Sequence, residues 1–312
     1  YPFEKTLEQN KNHEQIIENI DIGGPTMVRA AAKNYKDVTV ITNISKYESL
    51  IENINQNKGA TSLEFREHAA LEAFGETAYY ESLIFNYFKK NSNKEFSRKI
   101  IFGFNILEEL RYGENPHQKG AIYSSSKNLG FNKLNGKQLS YNNYADIFSA
   151  LEISKSFPNN KGTVIVKHGN PCGVSIHKDN TESFMLANKC DPLSAFGGIV
   201  SCNYKIKKKL AKELNKLFFE VIIGNGFDFD ALSILKRKKN VRLIDSRNFK
   251  KSSKNSLISN LDFALMQNPD LKKFKFNDFK IVSKVKPSKK TFDNLIFAFN
   301  VCRFVKSNAI VL

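Results

Sequence analysis

The stretch Gly162-Thr163-Val164-Ile165-Val166-Lys167-His168-Gly169-Asn170-Pro171-Cys172-Gly173 decides how this chain is organised. Its first five residues form an apolar run of the kind that builds a strand buried on both faces. The run leads into Lys167 and His168, and a turn rich in Gly, Asn and Pro follows. Because neighbouring residues of a strand point to opposite faces, both side chains can line one site only where the strand gives way to the turn.

Lys167 and His168 form a pair suited to acid–base chemistry on a carbonyl group. A lysine ammonium stabilises a developing oxyanion, and an imidazole transfers a proton near neutral pH. The alternative interpretation is a surface lysine beside a core histidine, and this segment alone does not decide between the two.

Apolar runs and helical stripes alternate on both sides of this stretch. The runs at 162–166, 199–202 and 220–223 predict neighbouring strands of one sheet. A stripe over 206–217 predicts the crossover helix, packed on one face of that sheet. Strands that alternate with helices are typical of an α/β layered architecture.

The remaining segments give weaker patterns. Residues 38–42 read as a buried strand, the polar residues 245–290 as long loops, and 305–312 as a helix end that enters a strand. Helical spacing is found over 14–34, interrupted by a tight Gly23-Gly24-Pro25 turn, and near 71–87, 144–151 and 295–305. The charged stretch 89–99 marks the predicted domain boundary.

Composition limits the possible functions. The chain has 312 residues, 41% of them hydrophobic, and a net charge of +17. Such a charge is found in nucleic-acid-binding proteins, but the lysines here are scattered without interleaved aromatic residues, which favours a solvated surface. No apolar run is long enough to span a bilayer.

Four cysteines stand at positions 172, 190, 202 and 302. None forms a CxxC pair, and no His/Cys cluster has the spacing of a zinc site. We therefore expect a reduced cytoplasmic protein with free thiols and no metal.

Four further motifs point to one family. They are Ile20–Pro25, Arg29–Asn34, Leu110-Arg111-Tyr112-Gly113-Glu114-Asn115-Pro116-His117-Gln118 and Cys190-Asp191-Pro192-Leu193-Ser194-Ala195-Phe196-Gly197-Gly198-Ile199-Val200. Together with the stretch around His168, and in this order, they resemble the bifunctional AICAR formyltransferase/IMP cyclohydrolase enzymes of purine biosynthesis. The resemblance runs over nearly the whole chain.

The resemblance implies a fold for each part of the chain. Residues 1–95 are expected to be the C-terminal part of an IMP cyclohydrolase domain with a methylglyoxal-synthase-like fold. Residues 96–312 are expected to be the N-terminal part of a formyltransferase domain, a cytidine-deaminase-like α/β/α unit without the deaminase zinc. The chain opens on Tyr1 and closes inside an apolar segment, so we expect an internal piece of a longer protein that is inactive alone.

The resemblance also implies formyl transfer from 10-formyltetrahydrofolate to AICAR, which gives FAICAR. His168 matches the family's catalytic base, Lys167 its neighbouring cation and Asn308 an active-site amide. Residues that match substrate-binding positions are Arg111, Tyr112, Asn143, Phe196, Gly197 and Glu220. Taken singly, these residues have simpler interpretations: a surface ion pair for Arg111, a helix cap for Asn143 and a turn for Gly197.

The second implied reaction is closure of FAICAR to IMP. Tyr1, Asp21 and Lys33 match positions in or beside that site, although a capping Asp and a surface Lys are the simpler interpretations. The implied partners are AICAR, FAICAR, IMP, folate and a second subunit of a cytoplasmic homodimer, with neither nucleic acid nor membrane. The competing hypothesis is a basic noncatalytic protein that binds nucleotides or nucleic acid.

Overall fold

The computed structural model describes residues 1–9, 11–92, 94–250, 255–260 and 262–312. These residues form two compact units, Tyr1–Asn105 and Ile106–Leu312. The predicted boundary lies ten residues earlier, between 95 and 96. In the described part of the chain, no helix combines the length and the apolar character needed to cross a bilayer.

Unit 1 is built on two helices that meet through small side chains. Ala32 of the helix Gly23–Lys33 packs against Ala70 and Ala73 of the helix Leu63–Lys90, so the two backbones approach closely. Ser62 caps the longer helix by accepting a hydrogen bond from the backbone N–H of Phe65. The helices of unit 1 are α1 (Phe3–Glu8), α2 (His13–Glu18), α3 (Gly23–Lys33), α4 (Tyr47–Gln56) and α5 (Leu63–Lys90).

Two predictions for unit 1 are wrong. Residues 38–42 form no strand, because the described residues 3–104 contain no strand with which they pair; instead Val40 packs against the alanine contact of the helices. Gly23-Gly24-Pro25 is not a turn but the first turn of α3. Proline is tolerated there, since its missing N–H has no partner within the helix at that position.

Unit 2 is an α/β fold with a mixed six-stranded sheet. Its strands are β1 (Asn105–Leu110), β2 (Gly120–Ser124), β3 (Asn132–Asn135), β4 (Gly162–Lys167), β5 (Asn170–Ile176), β6 (Ile199–Cys202), β7 (Val221–Gly224), β8 (Arg242–Asp245), β9 (Ser256–Ser259) and β10 (Ala264–Gln267). Its helices are α6 (Tyr141–Ser154), α7 (Asn180–Cys190), α8 (Pro192–Ala195), α9 (Lys208–Lys216), α10 (Phe229–Leu235) and α11 (Lys289–Cys302).

The strand order of the large sheet is β3-β8-β7-β6-β4-β5. Strands β6, β7 and β8 are parallel, whereas β4 pairs with β6 in the antiparallel sense, with Val166 opposite Ile199. The prediction that 162–166, 199–202 and 220–223 are neighbouring strands is therefore confirmed. Pairs β1-β2 and β9-β10 form two separate two-stranded sheets.

Both faces of the large sheet are covered by helices. Leu210 and Leu214 of α9 pack with Val200 and Ile222 on one face, which confirms the predicted crossover helix. Ile147 and other residues of α6 pack on the opposite face, joined by Val301 of α11. A sheet buried on both faces needs strands that are apolar throughout, and this explains the unbroken runs in the sequence.

Three expectations for unit 2 need correction. Asn170 and Pro171 belong to β5, where Pro is tolerated because β5 is an edge strand. Residues 245–290 are not loops alone, since β9 and β10 pair within them; residues 251–254 and 261 lie outside the described residues. Residues 303–312 form no strand, because no described strand lies beside them as a partner.

Leu214→Ala tests the crossover packing. Leu214 is 1% exposed between α9 and the sheet. Its truncation leaves a cavity, and we expect a loss of about 2–5 kcal/mol in the free energy of unfolding, measured by urea titration. Leu193, which is 89% exposed, supplies the control: Leu193→Ala should change the free energy of unfolding by under about 0.5 kcal/mol. Equal effects of the two substitutions would contradict the packing.

Candidate functional site

His168 lies in the tight turn that joins β4 to β5. His168 and Gly169 both have positive φ, 53° and 74°, as the two central residues of a type I′ hairpin turn do. A residue with a Cβ is strained in this region. The carboxylate of Asp146, on α6, compensates by accepting hydrogen bonds from the backbone N–H groups of His168 (3.3 Å) and Gly169 (2.6 Å). The turn presents the histidine side chain at the exposed surface.

Lys167 connects the end of β4 to the turn that contains Phe196 through a hydrogen bond. Its Nζ donates to the carbonyl oxygen of Phe196, 2.9 Å away. One of its three N–H donors is used in this way, and two remain for a ligand. The turn that contains Phe196 begins at Asp191, which caps α8, and the hydrogen bond from the Ser194 side chain lowers the pKa of that carboxyl.

Gly197 is required by backbone conformation. Its φ of +72° is unfavourable for any residue with a Cβ. A Cβ at this position would meet Phe218 at an ordinary 3.7 Å, so space alone would admit one. The Gly197 N–H donates to the carbonyl oxygen of Phe218, and the Glu220 N–H donates to that of Gly198. These bonds hold the Phe196–Gly198 turn against the start of β7.

A pocket of about 360 Å³ opens beside this turn. Three cationic side chains and one carboxylate contribute to its wall, so the pocket is suited to an anionic ligand that also carries hydrogen-bond donors. The lining residues are Arg111, Tyr112, Lys137, Ser140, Phe218, Phe219, Glu220, Asn240 and Arg242.

Asn143 has two roles at the edge of this pocket. Its Oδ1 accepts from the Ser140 N–H and its own N–H donates to Ser140 Oγ, which completes a capping box at the start of α6. Its Nδ2 donates to Glu220 Oε2 at 2.9 Å. The simple interpretation as a helix cap is therefore correct, and the same side chain also holds the pocket carboxylate.

A second, smaller pocket of about 270 Å³ lies between β1, β3 and α6. Tyr144 lines it and donates to Glu108 Oε2 at 3.0 Å, while Gln138 donates to Glu108 Oε1. Burial raises the pKa of Tyr144, and the hydrogen bond to Glu108 adds to this effect, so the phenol stays protonated. Both carboxylate oxygens of Glu108 therefore already accept hydrogen bonds from protein donors.

The structure brings most of the predicted residues of unit 2 to one edge of the sheet. Arg111, Tyr112 and Glu220 line the larger pocket, and Asn143 hydrogen-bonds Glu220. The carbonyl oxygen of Phe196 accepts a hydrogen bond from Lys167, and the N–H of Gly197 donates to Phe218. His168 follows Lys167 in the turn. Asn308 is not joined to them: among the described residues, its side chain hydrogen-bonds only Ser307.

The three predicted residues of unit 1 are not gathered in one place. Asp21 caps the start of α3, where its Oδ1 accepts from the Gly24 N–H and its own N–H donates to the Tyr80 hydroxyl. The backbone nitrogen of Tyr1 lies 3.6 Å from Asp21 Oδ2. Lys33 is the last residue of the 11-residue α3, so it lies roughly 16 Å along the helix axis from Asp21.

Sequence reasoning did not single out Asp146, Lys137 or Arg242. A single Asp on a helix and a single Arg in a strand have no distinctive spacing, and only the fold brings them to the site. Lys137 follows Gly136, whose φ of +96° marks a turn, but this signal says nothing about a ligand.

Comparison with known proteins identifies relatives over the whole chain. The family model described as AICARFT/IMPCHase bienzyme matches residues 31–312. The chain is 43% identical to the bifunctional purine biosynthesis protein PurH of Thermoanaerobacter sp. (strain X514) over 318 residues, which covers 100% of this chain and 62% of the relative. It is 42% identical to PurH of Leptospira biflexa, covering 100% and 61%. The chain thus spans less than two thirds of the length of these relatives.

Asp146→Ala tests the support of the histidine turn. Without the carboxylate, the N–H groups of His168 and Gly169 lose their acceptor, which should cost about 1–3 kcal/mol locally. We expect amide hydrogen exchange at both residues, followed by NMR, to become at least about tenfold faster. Glu152→Ala, an exposed carboxylate on the same helix, is the matched control and should leave both rates unchanged. Unchanged exchange in Asp146→Ala would rule out the supporting role.

Proposed function

The chain belongs to the AICARFT/IMPCHase bienzyme family, and we propose that the protein to which it contributes transfers a formyl group from 10-formyltetrahydrofolate to AICAR and closes the product FAICAR to IMP. The observation that carries this proposal is the polar pocket beside the Phe196–Gly198 turn, to which Lys167 donates a hydrogen bond. The relatives from Thermoanaerobacter and Leptospira are likewise named as purine biosynthesis proteins.

The larger pocket suits a nucleoside monophosphate. Exposed Arg111 and Lys137 offer two cations for a phosphate group. The Glu220 carboxylate accepts hydrogen bonds from hydroxyl or amine groups, and the Tyr112 ring offers a flat face. A volume of about 360 Å³ lies in the range of small-molecule sites.

The chemical step follows from the properties of the two groups. The amine of AICAR is weakly nucleophilic, because its lone pair is delocalised into the ring. We propose that His168 accepts the amine proton as the nitrogen attacks the formyl carbon, and that Lys167 donates to the carbonyl oxygen as negative charge develops there. The bond between the formyl carbon and N10 of the folate then breaks, and the proton that His168 took up passes to N10, so that tetrahydrofolate leaves. Asn308 is proposed to hydrogen-bond the reacting groups.

The co-substrate supplies the electrophilic formyl carbon, and the residues beside Lys167 fit its flat ring system. Phe196 is 64% exposed and its ring lies 5.3 Å from that of Phe218, so the two present an apolar surface to solvent. Such a surface is costly unless a ligand or a partner covers it. We propose that the folate ring lies on it, with Lys167 at its edge.

Cyclisation is proposed for unit 1. In this reaction the carboxamide nitrogen attacks the formyl carbon and water is lost, which requires a proton acceptor and a cation. Asp21, Lys33 and Tyr1 are the candidates. Asp21 and Lys33 lie at opposite ends of α3, and Tyr1 lies beside Asp21.

The remaining proposals concern architecture and partners. We propose that unit 1 belongs to a methylglyoxal-synthase-like domain and unit 2 to a cytidine-deaminase-like domain, in a cytoplasmic homodimer whose partners are AICAR, FAICAR, IMP and folate. The basic surface is proposed to attract these anions rather than nucleic acid. Salt-dependent binding of arbitrary DNA or RNA would favour the noncatalytic alternative.

Kinetics of a chimera test the division of the two reactions. In the chimera, this chain replaces the aligned 62% of the Thermoanaerobacter relative. His168→Ala should slow formyl transfer by about 10²–10⁴-fold, the usual value of general acid–base catalysis, and leave cyclisation of supplied FAICAR almost unchanged. Lys33→Ala should show the reverse pattern.

His68→Ala is the matched control, because His68 lies on α5 outside the proposed formyltransferase site, and it should leave formyl transfer unchanged. Equal loss of both activities in His168→Ala, with the circular dichroism spectrum intact, would contradict the assignment of the two reactions to two sites.

A further inference from the structure

Arg242 lies beneath the carboxylate of the larger pocket. Its side chain is 11% exposed, whereas that of Glu220 is 43% exposed, and Arg242 Nη1 lies 3.6 Å from Glu220 Oε2. The second terminal nitrogen, Nη2, donates to the carbonyl oxygen of Gln138 at 3.3 Å. The backbone N–H of Arg242 also donates to the carbonyl oxygen of Glu220, so the two residues are adjacent across the start of β7 and β8.

The two oxygens of Glu220 are used differently. Asn143 Nδ2 and Arg242 Nη1 both approach Oε2, at 2.9 Å and 3.6 Å. Among the described residues, no side chain donates to Oε1. Because Glu220 lines the pocket, this arrangement leaves one oxygen with free lone pairs for a ligand.

Arg242 depends on Glu220 for charge compensation. Within the described residues, Glu220 is the carboxylate partner within 4.0 Å of its guanidinium. Its Nε is buried and has no hydrogen-bond partner there. Because the Arg242 side chain is largely shielded from water, the neighbouring Glu220 carboxylate supplies its charge compensation. Because Nε has no contact with open space, a ligand in the pocket does not reach it.

We propose that Arg242 is a positioning residue: it fixes Glu220 so that Oε1 accepts a hydrogen bond from a hydroxyl or amine of the nucleotide. This inference rests on the proposed nucleotide-binding function of the pocket. It divides the three cations of the wall into two kinds. Exposed Arg111 and Lys137 contact the phosphate, whereas the largely buried Arg242, although it forms part of the wall, acts through Glu220.

A double-mutant cycle in the chimera described above, in which this chain replaces the aligned part of the Thermoanaerobacter relative, separates this role from direct phosphate binding. Calorimetry measures the affinity for AICAR in the wild type, Arg242→Gln, Glu220→Gln and the double variant. Ribose 5-phosphate and inorganic phosphate are then measured as competitors of AICAR. Ribose 5-phosphate retains the ribose hydroxyls but lacks the amine. Its affinity therefore shows whether Glu220 Oε1 accepts a hydrogen bond from a hydroxyl or from the amine. Arg237→Gln, which removes an exposed cation from the loop after α10, is the matched charge control.

We expect Arg242→Gln and Glu220→Gln each to weaken AICAR binding about tenfold, which corresponds to one charge-assisted hydrogen bond. The double variant should be no weaker than the single variants, because both remove the same contact. Affinity for inorganic phosphate should change less than about twofold in Arg242→Gln, and Arg237→Gln should match the wild type. Arg242→Lys, which keeps the charge and guards against misfolding, should recover part of the AICAR affinity.

Two results would overturn the inference alone: additive losses of about a hundredfold in the double variant, or an equal loss of inorganic phosphate and AICAR in Arg242→Gln. Failure of the folded wild-type chimera to bind AICAR would overturn the proposed function, and this inference with it.

Discussion

The antiparallel pairing of β4 with β6 is the constraint on which the site in unit 2 depends. Strands β6, β7 and β8 are parallel, so their amino ends lie at one edge of the sheet. Since β4 runs in the opposite sense, its carboxyl end lies at that same edge. Lys167 thereby comes beside the Phe196–Gly198 turn, which precedes β6. Glu220 and Arg242 lie at the starts of the next two strands, β7 and β8. A parallel β4 would carry Lys167 and His168 to the opposite edge.

Buried hydroxyl groups help to specify this pairing. Thr163 of β4 hydrogen-bonds Ser183 of α7, and Ser201 of β6 hydrogen-bonds Ser154 of α6, each at 2.9 Å. A strand that is apolar on both faces has little in its hydrophobic pattern to oppose a shift in register. A shift would, however, leave these hydroxyls unpaired in the core, at a cost of about 1–3 kcal/mol each. The few polar residues of the sheet therefore define the register that sets the positions of the site residues.

The sequence was sufficient for the elements whose structure follows from their own composition. The runs that end at Val166, Cys202 and Ile223 are apolar on both faces, and all three are central strands. The sequence was insufficient where the same composition is compatible with two structures. Asn170-Pro171 resembles a turn but begins an edge strand. Val38–Thr42 resembles a strand but has no described strand as a partner. Asp146 and Arg242 were missed for another reason. Their roles arise from proximity to His168 and Glu220, and this proximity is a property of the sheet topology.

Chemical-shift perturbation by AICAR in the chimera, with this chain's residues assigned, tests most directly whether a nucleotide binds at the end of the sheet where β6, β7 and β8 begin. The expected result is a set of shifted amides at Arg111, Tyr112, Gly197 and Glu220, with no change at Gly224 and Ser246 on the opposite edge. Shifts centred on that opposite edge, where most parallel sheets bind their ligands, would contradict the assignment of the site. So would the absence of any shift at AICAR concentrations in the millimolar range.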